Sequence, residues 1–279
     1  MPPDLLLTGH VVKDLTDDGW RAGGGVTYGA VQALKLGLSV AVVTSCGPDV
    51  RPEELLPDVE WHVVPSETTT TFENVYTPEG RRQRVPARAR QIGSEDIPAA
   101  WREARLIALC PVFHDCQPML GAALQRDGSF VALGAQGWLR GLDSGHVAVG
   151  AVEAQPEWLH GDAVFVSEED VTDPENVDLW RSRVPIVVLT RARRGASLWD
   201  KGCRIDVGAV EAQEVDPTGA GDVFMVAFMV RYRETADAAK AARFASAAAA
   251  LSVGRPGFEG VGTRDEIETL LARRMAVRS

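Results

Sequence analysis

The sequence predicts an α/β fold, with a central, mostly parallel sheet and helices on both faces. Short apolar runs at 106–110, 130–135, 163–167 and 185–190 are each rich in Val, Ile, Leu or Phe. The segments between them are long enough for helices, and that rhythm is the one of parallel strands joined by helical crossovers. Glycine- and acid-bearing segments fall at the ends of these runs, where open α/β sheets bind ligands. The stretch 58–91 breaks the rhythm. Its alternation reads as hairpin-like strands around a Pro78-Glu79-Gly80 turn, so a second, smaller sheet is expected.

Taken in order, residues 4–9 read as a first buried strand that 10–14 continue, and Asp17-Asp18-Gly19 as a turn. Gly23-Gly24-Gly25 precede a helix in which Val31, Leu34 and Leu38 recur at helical spacing and Gly37 supplies the stop. Residues 40–45 are a β-branched strand. The 58–91 strands are polar on both faces, so they need a cover, a partner or a ligand. Arg81, Arg82, Arg84, Arg88 and Arg90 form the densest basic cluster. Most of it reads as a solvated edge that resists strand pairing, with one or two arginines available to an anion. Trp101, Trp138, Trp158 and Trp180 read as packing residues. Cys110, His114 and Cys116 do not match a metal-ligand spacing. Thr235 is the expected N-cap of an Ala-rich helix to Leu251, the loop 252–257 ends that helix, and Thr263-x-x-Glu266 is a capping box for a final amphipathic helix.

The 279 residues suit one large domain. With 29 Lys and Arg against 39 Asp and Glu, the net charge is −10. That argues against a nucleic-acid partner and against anionic membrane surfaces. The N-terminus carries Asp4 and only a short apolar run, so neither a signal peptide nor a membrane span is expected. Four cysteines without CxxC spacing fit a reducing, cytoplasmic setting.

The chemistry concentrates at 215–232, VDPTGAGDVFMVAFMVRY. Gly219-Ala220-Gly221 form a tight turn into an apolar helix. Successive N–H groups there make an anion nest, and the helix N-terminus adds partial positive charge. Asp222 follows, within reach of a hydroxyl attacking a phosphate. The D-x-T-G-A-G-D string resembles the C-terminal signature of the PfkB (ribokinase-like) carbohydrate kinases. No Walker A string is present, which excludes a P-loop kinase.

The resemblance implies a ribokinase-like fold in a single domain, 1–279, with a β lid from about 11–23 and 60–91. It implies ATP and Mg2+ as cofactors, Asp222 as catalytic base and Gly219, Ala220 and Gly221 as the anion hole. Asp14 would bind substrate hydroxyls, and Gly24 and Gly25 match the family's di-glycine motif. Tyr28 stands where the family has Asn; it either stacks on a ring or packs. Segment 164–171 resembles the family's Asn-x-x-Glu element, with Ser167 for Asn, Asp170 for Glu, and Glu169 as a second candidate for Mg2+. Segment 190–196 resembles T-x-G-x-x-G over the nucleotide, keeping Thr190 and Gly195, with Arg191 added and Ala192 for the first Gly. Ser246 would flank the adenine, Thr218 would lie on the nucleotide side, and Asp216 with Thr218 would hold a monovalent cation, K+. The implied activity is ATP-dependent phosphorylation of a small sugar or cyclic polyol, inositol-like. A nucleoside kinase and a catalytically silent sugar- or nucleotide-binding homologue remain the alternatives. A homodimer formed through the lid is left open.

Overall fold

Leu5, Leu6 and Leu7 are all fully buried, yet they belong to two different cores. That alternation is the signature of a strand covered on both faces. The computed structural model describes residues 1–77, 80–150, 155, 158–171 and 174–278. Its elements are β1 Leu5–Thr8, β2 Val12–Thr16, β3 Gly19–Gly23, α1 Gly25–Lys35, β4 Val40–Cys46, α2 Pro52–Leu55, β5 Glu60–Pro65, β6 Thr71–Thr77 and β7 Gly80–Ala87. Then follow β8 Leu106–Leu109, α3 Leu120–Leu124, β9 Phe130–Gly134, α4 Gln136–Leu139, β10 Gly141–Asp143, β11 His146–Ala148, β12 Ala163–Ser167 and α5 Pro174–Arg183. The chain closes with β13 Ile186–Thr190, β14 Ala196–Asp200, β15 Cys203–Val207, α6 Ala220–Thr235, α7 Ala238–Ser252 and α8 Arg264–Arg278.

A nine-stranded sheet runs β15-β14-β13-β12-β9-β8-β1-β4-β5. Every pairing from β5 across to β13 is parallel, whereas β14 is antiparallel to both β13 and β15, so β14 alone runs against the rest. One face packs Leu5, Leu7, Val40 and Val42 against α1, α6, α7 and α8. The other packs Leu6, Ala41 and Val43 against Trp101, Trp138 and Trp180. The predicted α/β architecture is therefore present, and the tryptophans are packing residues as expected. Among the described residues, no helix is long and apolar enough to cross a membrane.

A second sheet of six strands runs β10-β11-β7-β6-β2-β3. The lid piece expected at about 11–23 lies in it as β2 and β3, and three other expectations are corrected. Residues 10–14 do not continue β1; the chain leaves the large sheet after Thr8 and enters the small one at Val12. The crossing is fixed by buried polar groups: Asp115 accepts N–H bonds from His10, Val112 and Phe113 at 2.8, 2.6 and 2.9 Å, and the His10 ring bonds Thr70 Oγ1 at 2.7 Å. The stretch 60–65, expected in the lid, is β5 and pairs in parallel with β4. Val64 packs on one face of the large sheet and Trp61 and Val63 on the other, which decides its allegiance. Conversely β10 and β11, too short and polar to signal themselves, extend the small sheet.

The arginine cluster is solvated but not an edge. Arg82, Arg84, Arg88 and Arg90 are exposed, yet β7 pairs with β6 and, at Arg84↔His146, with β11. Arg84 meets Glu73 at 3.2 Å, Arg90 meets Asp96 at 2.8 Å, and Arg88 lies over the Phe113 ring. Pro78 and Glu79 of the expected turn, and the Arg81 side chain, lie outside the described residues.

α6 is apolar all round along its middle because that stretch is enclosed: Val223 to Val230 are buried without a break. Phe224, Phe228 and Tyr232, spaced i,i+4, stack in a ladder with Phe165 edge-on to Phe228. Deleting such a buried ring costs about 3–5 kcal/mol. This helix is thus a rigid post whose N-terminus points out of the core. Thr235 closes it rather than capping the next one; its hydroxyl donates back to Arg231 O at 2.8 Å, and Asp237 is the N-cap of α7, accepting from Lys240 N at 2.9 Å. Asp237 won because Ala236 takes the left-handed conformation that lets the chain restart. The Thr263–Glu266 capping box forms as predicted.

Candidate active site

The loop before α6 is held at both ends. Val215 N and Asp216 N donate to Val253 O at 2.7 and 3.1 Å, tying the loop to the end of α7. Asp216 Oδ1 accepts Thr218 N and its Oδ2 accepts Gly257 N, each at 3.0 Å. Burial would raise the Asp216 pKa, but these bonds and the nearby Arg21 bring it below the usual carboxylate range. Both carboxylate oxygens thus take main-chain donors, the arrangement of a loop clip.

Gly219 then adopts φ 73° as the N-cap of α6. A methyl group there would collide with the Tyr28 ring. Tyr28 is 3% exposed and meets Phe258 edge-on, with centroids 4.9 Å apart. It packs beneath the turn and offers no face to a ligand ring. Ala220 N is taken by Pro217 O at 3.2 Å. Gly219 N and Gly221 N have no partner among the described residues. The space beside Gly221 is open, with nothing within 4 Å of where a side chain would start. The nest expected from three successive amides therefore reduces to two.

Asp222 sits in the first turn of α6. Burial pushes its pKa up to about 6, against the opposing pull of Arg140 and of its own backbone N–H. The glycine run explains how this carboxyl is reached. A methyl on Gly25 would overlap Asp222 Oδ1, and one on Gly23 would overlap Asp14 Oδ2. Bare backbone lets both carboxylates close on one tripeptide, whose ends are separated by about 7 Å at most. Asp14 lies on β2, in register with Arg21 of β3 and Phe72 of β6. The small sheet thus delivers one acid and the large-sheet side the other, to opposite ends of the same short bridge. Gly24, between them, holds φ 94°.

The remaining predicted residues divide. Ser167 and Thr190 end adjacent strands and are register partners. Asp170 is buried, with its pKa raised by burial against the pull of Arg140, and it accepts Gln136 Nε2 at 3.2 Å. Glu169 beside it is exposed. Ser167, Glu169 and Asp170 offer only oxygen donors, the type a hard ion such as Mg2+ takes with water and phosphate oxygens, but among the described residues no three acids, histidines or cysteines converge on one point. Arg191 pairs with Asp206 at 3.3 Å, Arg193 with Glu214 at 3.6 Å, and Arg194 with Glu168. Gly195, at φ 89°, is needed because a side chain would strike Val207 O. Ser246 is 7% exposed inside α7, so the expected adenine contact is not presented at the surface.

Two residues with no motif to announce them join this site. Gln136 opens α4 and Arg140 follows its last residue, just beyond the C-terminal end of β9. Their only sequence signal is position: they follow an apolar run at the end where ligands bind.

The family model described as pfkB family carbohydrate kinase matches residues 162–261, which contain β12, the loop clip, the glycine turn and Asp222. The chain is 38% identical to the ribokinase of Bacillus subtilis (strain 168) over 85 residues, 30% of this chain and 29% of that one. That match therefore spans less than a third of the relative's length. Among solved structures, the fold resembles a pyrophosphate-dependent kinase in the ribokinase family complexed with sulfate, with TM-score 0.79 and 25% identity over 95% of this chain and 99% of that one. It also resembles a pyrophosphate-dependent kinase of that family complexed with a pyrophosphate analog and myo-inositol, with TM-score 0.78 and 24% identity over 95% and 99%. A match to the pfkB family model over residues 162–261 and a fold shared across nearly all of the chain with a ribokinase-family kinase lead to one conclusion: the chain is similar to the pfkB family carbohydrate kinases in that segment and carries a ribokinase-like fold.

Proposed function

We propose that the protein phosphorylates a hydroxyl of a small cyclic polyol or sugar, inositol-like, with Asp222 as the base. The observation that carries this is the Asp222 carboxyl, poised near neutrality at a helix mouth beside two amides, across a glycine bridge from Asp14. The acceptor oxygen attacks the donor's terminal phosphorus and an O–P bond forms. The P–O bond to the leaving phosphate breaks with its electron pair, and the hydroxyl proton passes to Asp222. The Gly219 and Gly221 N–H groups and the α6 N-terminus take up charge on the phosphoryl oxygens. Asp14 accepts from neighbouring hydroxyls and fixes the ring's orientation. Mg2+, when bound, would neutralise donor phosphate oxygens; Glu169, Asp170 and Ser167 are the residues that would hold it.

The acceptor class is supported by likeness to a kinase complexed with myo-inositol. A nucleoside acceptor is less well served, because Tyr28 and Phe72, the rings that would face a base, are both buried. An Asp222 held near its working range argues against a silent homologue. The donor expected from the family resemblance is ATP. Pyrophosphate is the second reading, favoured by the burial of Ser246 and by likeness to a kinase complexed with a pyrophosphate analog. Initial rates with myo-inositol, ribose and nucleosides, each against Mg-ATP and Mg-pyrophosphate, test both assignments. Turnover of nucleosides alone would sink the polyol reading, and turnover with pyrophosphate alone would replace ATP.

The pH dependence follows with a definite sign. A base works when deprotonated, so kcat/KM should climb with pH along a limb of apparent pKa near 6 and level off above it. A profile flat through that region would remove Asp222 as the titrating base.

A further inference from the structure

We propose that Arg140 is a positioning residue for the transfer, the cation that serves the acid on each side of the site. This rests on the kinase reading above. The guanidinium is clamped where three parts of the molecule meet. Its Nη1 donates to Val112 O at 3.1 Å, just past the end of β8, and its Cζ lies 5.9 Å from the Phe72 ring of the small sheet. Its own carbonyl accepts from His114 Nε2 at 2.6 Å. The helix it ends is seated by Gly137, where any side chain would run into the backbone of Pro111 and Val112. At the other end of that helix, Gln136 holds Asp170.

The charge distribution gives this placement its meaning. Asp14, Asp170, Asp216 and Asp222 surround the site of a chain with net charge −10. A phosphate donor entering there meets carboxylates unless a cation intervenes. Arg140 is attractive to both Asp222 and Asp170. Arg191, Arg193 and Arg194 are instead paired with Asp206, Glu214 and Glu168. Arg140 therefore favours the ionised base before transfer and offsets the negative charge that accumulates as the phosphoryl group arrives. Its bond to Val112 O and its place against Phe72 make it sensitive to how the small sheet sits on the large one.

The test is a pair of variants. Arg140→Gln keeps an N–H donor for Val112 O and removes the charge; Arg140→Lys keeps the charge and loses the planar fork. Arg140→Gln should lower kcat by about 30-fold or more, with the acceptor KM within about threefold of the parent. Its acidic limb should move upward in pH, while Arg140→Lys recovers most of the rate and the original limb. Cys110 and Tyr28, titratable groups beside Asp222, are pushed upward by burial and stay neutral over that range, so neither contributes to the limb. Parent-like kcat and limb in Arg140→Gln, or equal loss in both variants with an unmoved limb, overturns the inference. A fully active Asp222→Asn would instead overturn the kinase mechanism it rests on.

Discussion

Replacing Asp222 with Asn is expected to cut kcat by about 10³-fold or more, the scale of losing a general base at a preorganised site. Donor affinity should stay near the parent value, because the Gly219 and Gly221 amides and the helix N-terminus are untouched. The same substitution should stabilise the fold at neutral pH. In the unfolded chain this carboxyl titrates near its model value of 3.8, whereas in the folded protein burial holds it at about 6. Ionising it inside the protein therefore costs free energy that grows as pH rises from about 4 to 6 and persists above, on the order of 3 kcal/mol. Asn avoids that penalty. A dead enzyme with a raised Tm at pH 7.5 and an unchanged Tm near pH 4 is the expected pair of results. A variant that retains substantial turnover would refute the base assignment.

The second large effect separates two glycines that look alike in sequence. Gly219→Ala must place a Cβ at φ 73° and into the Tyr28 ring. Left-handed strain and overpacking together should destabilise the protein by about 3 kcal/mol, a fall in Tm of roughly 6–12 °C. Gly221→Ala meets nothing within 4 Å and lies in the first turn of a helix. It should leave Tm unchanged or raise stability by up to about 1 kcal/mol. Because its methyl enters the space offered to the donor, kcat/KM for the donor should nevertheless fall by about tenfold. Thermal melts and steady-state rates on the two variants decide the matter. Equal destabilisation by both would contradict the packing of Tyr28 beneath the turn, and full activity in Gly221→Ala would move the phosphates elsewhere.

Much of the fold could be read in advance because its rules are local. The apolar runs that became β8, β9, β12 and β13 needed only their composition and spacing. The uninterrupted apolar stretch after Asp222 correctly announced a helix enclosed on all sides. The errors fell where two local readings were equally permitted. Residues 60–65 alternate like a lid strand, yet Val64 and Trp61 have large-sheet surfaces to cover. Thr235 and Asp237 are both acceptable caps, and the left-handed Ala236 chose between them.

The sequence by itself announced the helix mouth: D-x-T-G-A-G-D carries its turn, its free amides and its acid, and the local Asp216–Thr218 bond shapes the turn, while bonds to Val253 and Gly257 anchor it. Tertiary structure alone decided that Gly23 and Gly25 lie against Asp14 and Asp222, that Tyr28 underlies Gly219, that Ser246 is enclosed, and that Arg140 reaches Val112 O and the Phe72 ring. The reason is physical. Periodicity fixes which face of an element is buried, whereas the partner it meets depends on how distant elements pack, and no short-range propensity encodes that.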